Sequence, residues 1–178
     1  MTGLAREYGD GLYELAREEQ LLPQLHQELL EIRDLLMQQP DFIRLLCSRA
    51  IERDARLRVV EETFGAQAHP YVRNFMKLLV EKERFDTFLD CCQWFHQRYN
   101  DEFNIVEANV ISAVPLSEEE RAALTKKLEE ISGRTVCLIS AVDPSVIGGI
   151  RVEMEGKRYD NTIQNRLGRL RFNLTHGL

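Results

Sequence analysis

The chain has 178 residues, of which 44% are hydrophobic and 29% charged, and a formal net charge of −6. That is the composition of an ordinary globular protein, long enough for one large domain or two small ones. No apolar run approaches the roughly 20 residues of a membrane span, and the acidic start MTGLAREYGDGLYELAREEQ fits neither a secretory signal nor a transit peptide. Met1 is therefore expected to open a mature cytosolic protein. Residues 1–104 carry 13 Lys/Arg against 19 Asp/Glu, whereas residues 105–178 carry 10 of each. The acidic front half repels nucleic acid, which leaves residues 134–178, seven basic against four acidic, as the only stretch suited to phosphates.

Up to about residue 104 apolar residues recur at helical spacing. Leu4, Tyr8, Leu12 and Leu15 form the first stripe. Pro23 suits the first turn of a second helix with Leu25, Leu29, Ile32 and Leu36, and Pro40 ends that pattern. The segment DFIRLLC gives a short third helix. Leu57, Val60 and Phe64 mark a fourth, closed by Gly65. Val72, Phe75, Met76 and Leu79 mark a fifth after His69-Pro70, and Phe85 through Tyr99 a sixth. Six helices with short connections predict a bundle.

From residue 105 the period changes. NIVEANVISAV is rich in β-branched residues and alternates as strands do. Ser117 followed by Glu120 is a capping box that opens a helix with Leu124, Leu128 and Ile131 inward, ending near Gly133. TVCLISAV reads as a second strand, VIGGIRVEM as a third, and Glu155-Gly156 as a hairpin turn into KRYD. A last amphipathic helix is expected from Asn161-Thr162, with Ile163, Leu167 and Leu170 on one side. The fold class is thus α+β: an N-terminal six-helix bundle over 1–104, then a small α/β domain over 105–178.

The glycines of DPSVIGGIRVEMEGKRYD do not make a phosphate loop. Six residues, not four, separate Gly149 from Gly156, Lys157 precedes Arg158 rather than Ser or Thr, and the intervening residues alternate as a strand. Gly148-Gly149 inside a strand suits a bulge or close backbone packing. The four cysteines, Cys47, Cys91, Cys92 and Cys137, lack a disulfide framework and suit a reducing compartment. Cys92 and His96 stand four apart and form half of a zinc site, with no second half at recognisable spacing; a buried thiol is the simpler reading. The histidines, His26, His69, His96 and His176, have no nucleophile or carboxylate at triad spacing. No cofactor and no metal are expected.

The motif VDPSVIGGIRVEMEGKRYDNTIQNRLGRL resembles the C-terminal signature of the ATP synthase delta subunit family, which includes the mitochondrial oligomycin-sensitivity-conferring protein. The likeness rests on Asp143-x2-Val146, Gly148-Gly149, Ile150-x-Val152, Gly156, Tyr159-Asp160 and Arg166-Leu167-x2-Leu170. Near the front, REYGDGLYELA and NFMKLLVEKERFDTF resemble the family's first helix and its fifth helix with the following turn. Gly9 and Gly11 depart from the family, standing where alanines are usual, and Asn161-Thr162 replace a Gly-Ser pair.

The resemblance implies a non-catalytic stator subunit of an F-type ATP synthase, tying the catalytic head to the peripheral stalk so that the head resists rotor torque. It implies that the helical region receives the N-terminal amphipathic helix of an alpha subunit between its first and fifth helices, at Tyr8, Gly11, Leu12, Leu15, Phe75, Leu78 and Leu79. It also implies that the C-terminal region meets the b subunits of the stalk, at Ile163, Arg166, Leu167, Arg169 and Leu170. The expected location is the cytoplasmic face of a bacterial inner membrane, reached only through the complex. Two rivals remain: a nucleic-acid-binding adaptor using the basic tail, and an enzyme using Cys91 or Cys92, although helix interiors rarely lower a thiol pKa.

Overall fold

The computed structural model describes residues 3–146 and 148–160. Those residues hold seven α-helices, one short 3-10 turn and four strands, an α+β architecture. The chain divides into two compact units, Met1–Tyr99 and Asn100–Leu178.

In the first unit the helices are α1 (Gly3–Glu18), α2 (Leu22–Gln38), α3 (Pro40–Cys47), α4 (Arg53–Phe64), α5 (Pro70–Glu81) and α6 (Phe88–Glu102), the last running past the division. Prolines open α2, α3 and α5 from the first turn, where a missing N–H costs no hydrogen bond. His69 completes the start of α5, its Nδ1 accepting from the Tyr71 N–H at 3.3 Å while its own N–H donates to Glu28 Oε1 at 2.6 Å. Each helix buries one apolar stripe: Ala5, Leu12, Tyr13 and Ala16 of α1, Leu25, Leu29 and Leu36 of α2, Val72, Met76 and Leu79 of α5, and Phe88, Cys92 and Phe95 of α6 join one core. Aromatic rings interlock within it, Tyr13 edge-on to Phe95 at 5.1 Å and Phe85 stacked on Phe88 at 5.3 Å. The ends of α1 and α5 turn through left-handed residues that are not glycine, Gln20 (φ 60°) and Glu83 (φ 56°). Tight backbone bonds hold both, Leu21 N to Ala16 O and Arg84 N to Leu79 O at 2.8 Å.

The second unit is a sheet of order β2-β1-β3-β4, built from β1 (Ile105–Ser112), β2 (Thr135–Val142), β3 (Ile150–Met154) and β4 (Lys157–Asp160), with α7 (Glu118–Ser132) between β1 and β2. β1 and β2 run parallel, which requires a crossover and receives one in α7; β1–β3 and β3–β4 are antiparallel. The capping box is present: Ser117 Oγ accepts from Glu120 N at 3.2 Å, and Glu120 Oε2 accepts from Ser117 N at 2.9 Å. Glu155 (φ 52°) and Gly156 (φ 73°) are both left-handed, as a two-residue type I′ hairpin demands. Alternation puts Val106, Ala108 and Val110 inward with Val136, Val152, Met154 and Leu128.

Two expectations are corrected here. Gly148 and Gly149 precede β3 rather than lying in it, because Gly149 adopts φ 84°, which no strand accommodates. Ile131 is not inward but 63% exposed, in the last turn of α7, and Leu128 alone of that stripe is fully buried.

Candidate functional site: an apolar groove between α1 and α5

A cavity of about 590 Å³ lies along α1 and α5 in the first unit. From α1 it is lined by Glu7, Tyr8, Gly11, Leu12 and Leu15, and from α5 by Tyr71, Asn74, Phe75 and Leu78. The spacing explains the shape. Residues 8, 12 and 15 share one helical stripe, and residues 71, 75 and 78 share another, so each helix contributes an apolar row to the same trough. Leu12 and Phe75, each 6% exposed, rest on the core and form the floor. Leu78, 37% exposed, stands at the rim of the trough.

The two glycines of α1 do different things. A Cβ at Gly9 would meet Trp94 Cδ1 at 2.8 Å and the Cys91 carbonyl at 3.3 Å, so Gly9 is the residue that lets α1 approach α6. A Cβ at Gly11 would meet nothing within 4 Å. Gly11 therefore serves no internal packing, and its missing side chain deepens the groove.

The polar face of α1 is committed to α6. Trp94 Nε1 donates to Asp10 Oδ1 at 2.8 Å, Arg98 bridges Asp10 and Glu14, and its guanidinium lies 4.5 Å over the Tyr13 ring. Burial works against ionisation of Asp10, but the hydrogen bonds of Trp94 and Arg98 prevail and hold its carboxyl below the usual range. On α5, Arg73 and Lys77 both turn to Glu61 of α4. Clamped on both flanks, the two helices leave their apolar rows uncovered.

Of the residues expected for an alpha-subunit helix, Tyr8, Gly11, Leu12, Leu15, Phe75 and Leu78 are brought together in this groove. Leu79 is not: it has no exposed surface and belongs to the core beneath. Its neighbour Leu78 carries the same residue type one position, or about 100°, away, so the leucine signal itself did not separate them. Tyr71, on the row of Phe75 and Leu78, lines the groove although it is not among the expected residues. Glu7 and Asn74 carry no apolar signal. The residues expected for the stalk, Ile163, Arg166, Leu167, Arg169 and Leu170, lie outside the described residues, as does the helix expected from Asn161.

His26, His96, Cys91 and Cys92 have structural surroundings. His26 and His96 share a hydrogen bond of 2.7 Å between Nε2 and Nδ1, and Tyr99 stacks on His26 at 3.8 Å. Burial pushes the Cys91 thiol up to about 11 and raises Cys92 as well, away from thiolate chemistry. Among the described residues no group of three His, Cys, Asp or Glu could hold a metal ion, and no helix is long and apolar enough to cross a membrane. Of the described basic residues from position 134 onward, Arg134 pairs with Glu155, Arg151 with Asp160 and Arg158 with Glu153, which leaves Lys157.

An ATP synthase subunit delta from Geobacillus sp. (strain WCH70) is 32% identical over 168 residues, 94% of each chain. One from Acidiphilium cryptum is 32% identical over 171 residues, covering 96% of this chain and 87% of the relative. The fold matches a chain of the Toxoplasma gondii mitochondrial ATP synthase hexamer with a TM-score of 0.71 at 20% identity, across 99% of this chain and 100% of the other. The family model for the ATP synthase delta (OSCP) subunit matches residues 4–174. With relatives of that identity along nearly its whole length, this chain belongs to the ATP synthase delta (OSCP) subunit family.

Proposed function

We propose that this chain is a stator part of an F-type ATP synthase, joining the catalytic head to the peripheral stalk without catalysing a reaction itself. The helical region receives the N-terminal amphipathic helix of an alpha subunit in the α1–α5 groove, and residues 105–178 engage the b subunits, with Ile163, Arg166, Leu167, Arg169 and Leu170 as the contact set. The complex then stands against the membrane on its cytoplasmic side, and this subunit reaches the membrane only through its partners.

The observation that carries the reading is the groove: two apolar rows at helical spacing, a floor resting on the core, and Gly11 with open space above it. Helix-in-groove docking needs that geometry, since a helix inserts anchors at three-and-four spacing into a preformed trough. Magnitudes point the same way. Nanomolar attachment requires about 12 kcal/mol net. Exposed ion pairs give roughly 0–1 kcal/mol each, whereas burying a large apolar side chain gives about 1.5–3 kcal/mol. A joint that resists torque must therefore be held by apolar anchors, with charges choosing the partner.

The test is calorimetric titration of the full chain with a synthetic peptide of the alpha-subunit N-terminal segment. Gly11→Leu fills open space, so the variant should fold and melt as the unaltered chain does, yet bind the peptide at least about tenfold more weakly. Equal affinity in the folded variant would refute the groove assignment.

A further inference from the structure

The described lining of the groove carries a single charge. Of its lining residues Glu7 alone is charged at neutral pH, and no ion-pair partner stands against it among the described residues. The absence follows from the sequence: the positions three and four away on α1 are Gly3, Leu4, Asp10 and Gly11, none of them a cation. It also follows from the packing, because all four cations of the two groove helices are drawn elsewhere. Arg6 lies 5.0 Å over the Trp94 ring, Arg17 pairs with Glu14, and Arg73 and Lys77 share Glu61. Asp10 and Glu14, the next acids of α1, are held by Arg98. Glu7 is thus an uncompensated carboxylate on the wall of an apolar trough.

A helix laid in that trough removes water from Glu7 as well as from the apolar rows. A carboxylate that loses water without gaining a partner opposes binding; one that gains a lysine or arginine does not. From this we infer that Glu7 is a specificity determinant of the groove, selecting a docked helix that carries a basic residue beside its apolar anchors and rejecting one that carries an acid there. The inference rests on the groove reading above and adds to it: the apolar rows supply affinity, and Glu7 supplies choice of partner and register.

The experiment is a charge cycle in the full chain. The alpha-subunit N-terminal peptide and a copy with its lysines and arginines replaced by glutamine are titrated into the unaltered chain, Glu7→Gln and Glu7→Lys, at low and high salt. Glu7→Gln should weaken binding of the native peptide about three- to tenfold at low salt, Glu7→Lys further, and the gap should narrow as salt rises. The peptide stripped of its basic residues should bind the unaltered chain no more tightly than it binds Glu7→Gln. Equal affinity of the native peptide for the unaltered chain and Glu7→Lys at low salt would overturn the role of Glu7 while leaving the groove intact. A loss on Glu7→Gln that is the same for both peptides would overturn it too, since the cause would not be charge pairing. No binding of the native peptide to the unaltered chain would overturn the groove reading and this inference together.

Discussion

The two units of this molecule bury their interiors by different means. The helical unit gathers stripes from α1 to α6 around interlocked rings, Tyr13, Phe64, Phe75, Phe85, Phe88 and Phe95, and its groove is carved into the surface of that mass. The sheet unit has a short core of valines, alanine, leucine and methionine with no aromatic ring among its described members. Exposed large apolar side chains do not separate the two, since Leu35 and Met37 of the helical unit are as open as Ile139 and Val142 of the sheet. A recognition surface that must keep its shape before the partner arrives is better built on the first kind of interior, since rigid packing lowers the ordering cost of binding.

That contrast can be broken by core truncation. Phe88→Ala should cost about 3–5 kcal/mol, because a fully buried ring leaves a cavity that the surrounding helices cannot close. Val110→Ala, equally buried but smaller, should cost about 1.5–3 kcal/mol. Urea denaturation measures both, and a loss in Val110→Ala as large as that in Phe88→Ala would mean that the sheet interior is packed at least as tightly as the helical one.

Acid sharpens the same contrast with a smaller effect. His26 titrates at about 4 rather than 6.5, chiefly because burial opposes its charge, helped by His96 and Arg33. The unfolded chain therefore binds the proton first, and folding stability falls as pH drops from about 6.5 toward 4, a loss complete near pH 4. Since His26 is only half-buried, solvent screening limits the loss to roughly 1–2 kcal/mol. His26→Gln should flatten the stability profile over that window. No described histidine belongs to the sheet unit, so the change should appear in helical signals; an unchanged slope in His26→Gln would remove the histidine pair from the account.

Much of the fold could be read from residues alone because local rules govern it. Prolines at 23, 40 and 70, the Ser117–Glu120 box and the Glu155-Gly156 turn each act within a few residues. What escaped depends on contacts between distant segments. Nothing around Gly9 announces Trp94, and nothing around His26 announces His96, because each pair is joined only by the packing of α6. The site was half legible for the same reason. An apolar stripe says which residues avoid water, but only packing decides that Leu79 is sealed while Leu78 faces the groove. Alternation is blind to φ and so reads Gly148-Gly149 into the strand, whereas φ keeps the pair out.

The proposed docking site of an alpha-subunit helix is the pair of rows on α1 and α5. Residue-resolved amide chemical shifts, followed while the alpha-subunit N-terminal peptide is titrated into the full chain, test it most directly. The largest shifts should fall on Glu7–Leu15 and Tyr71–Leu78, with α3 and the β3–β4 hairpin nearly still. Saturable binding whose shifts cluster on another face, leaving Gly11 and Leu78 unmoved, would contradict it.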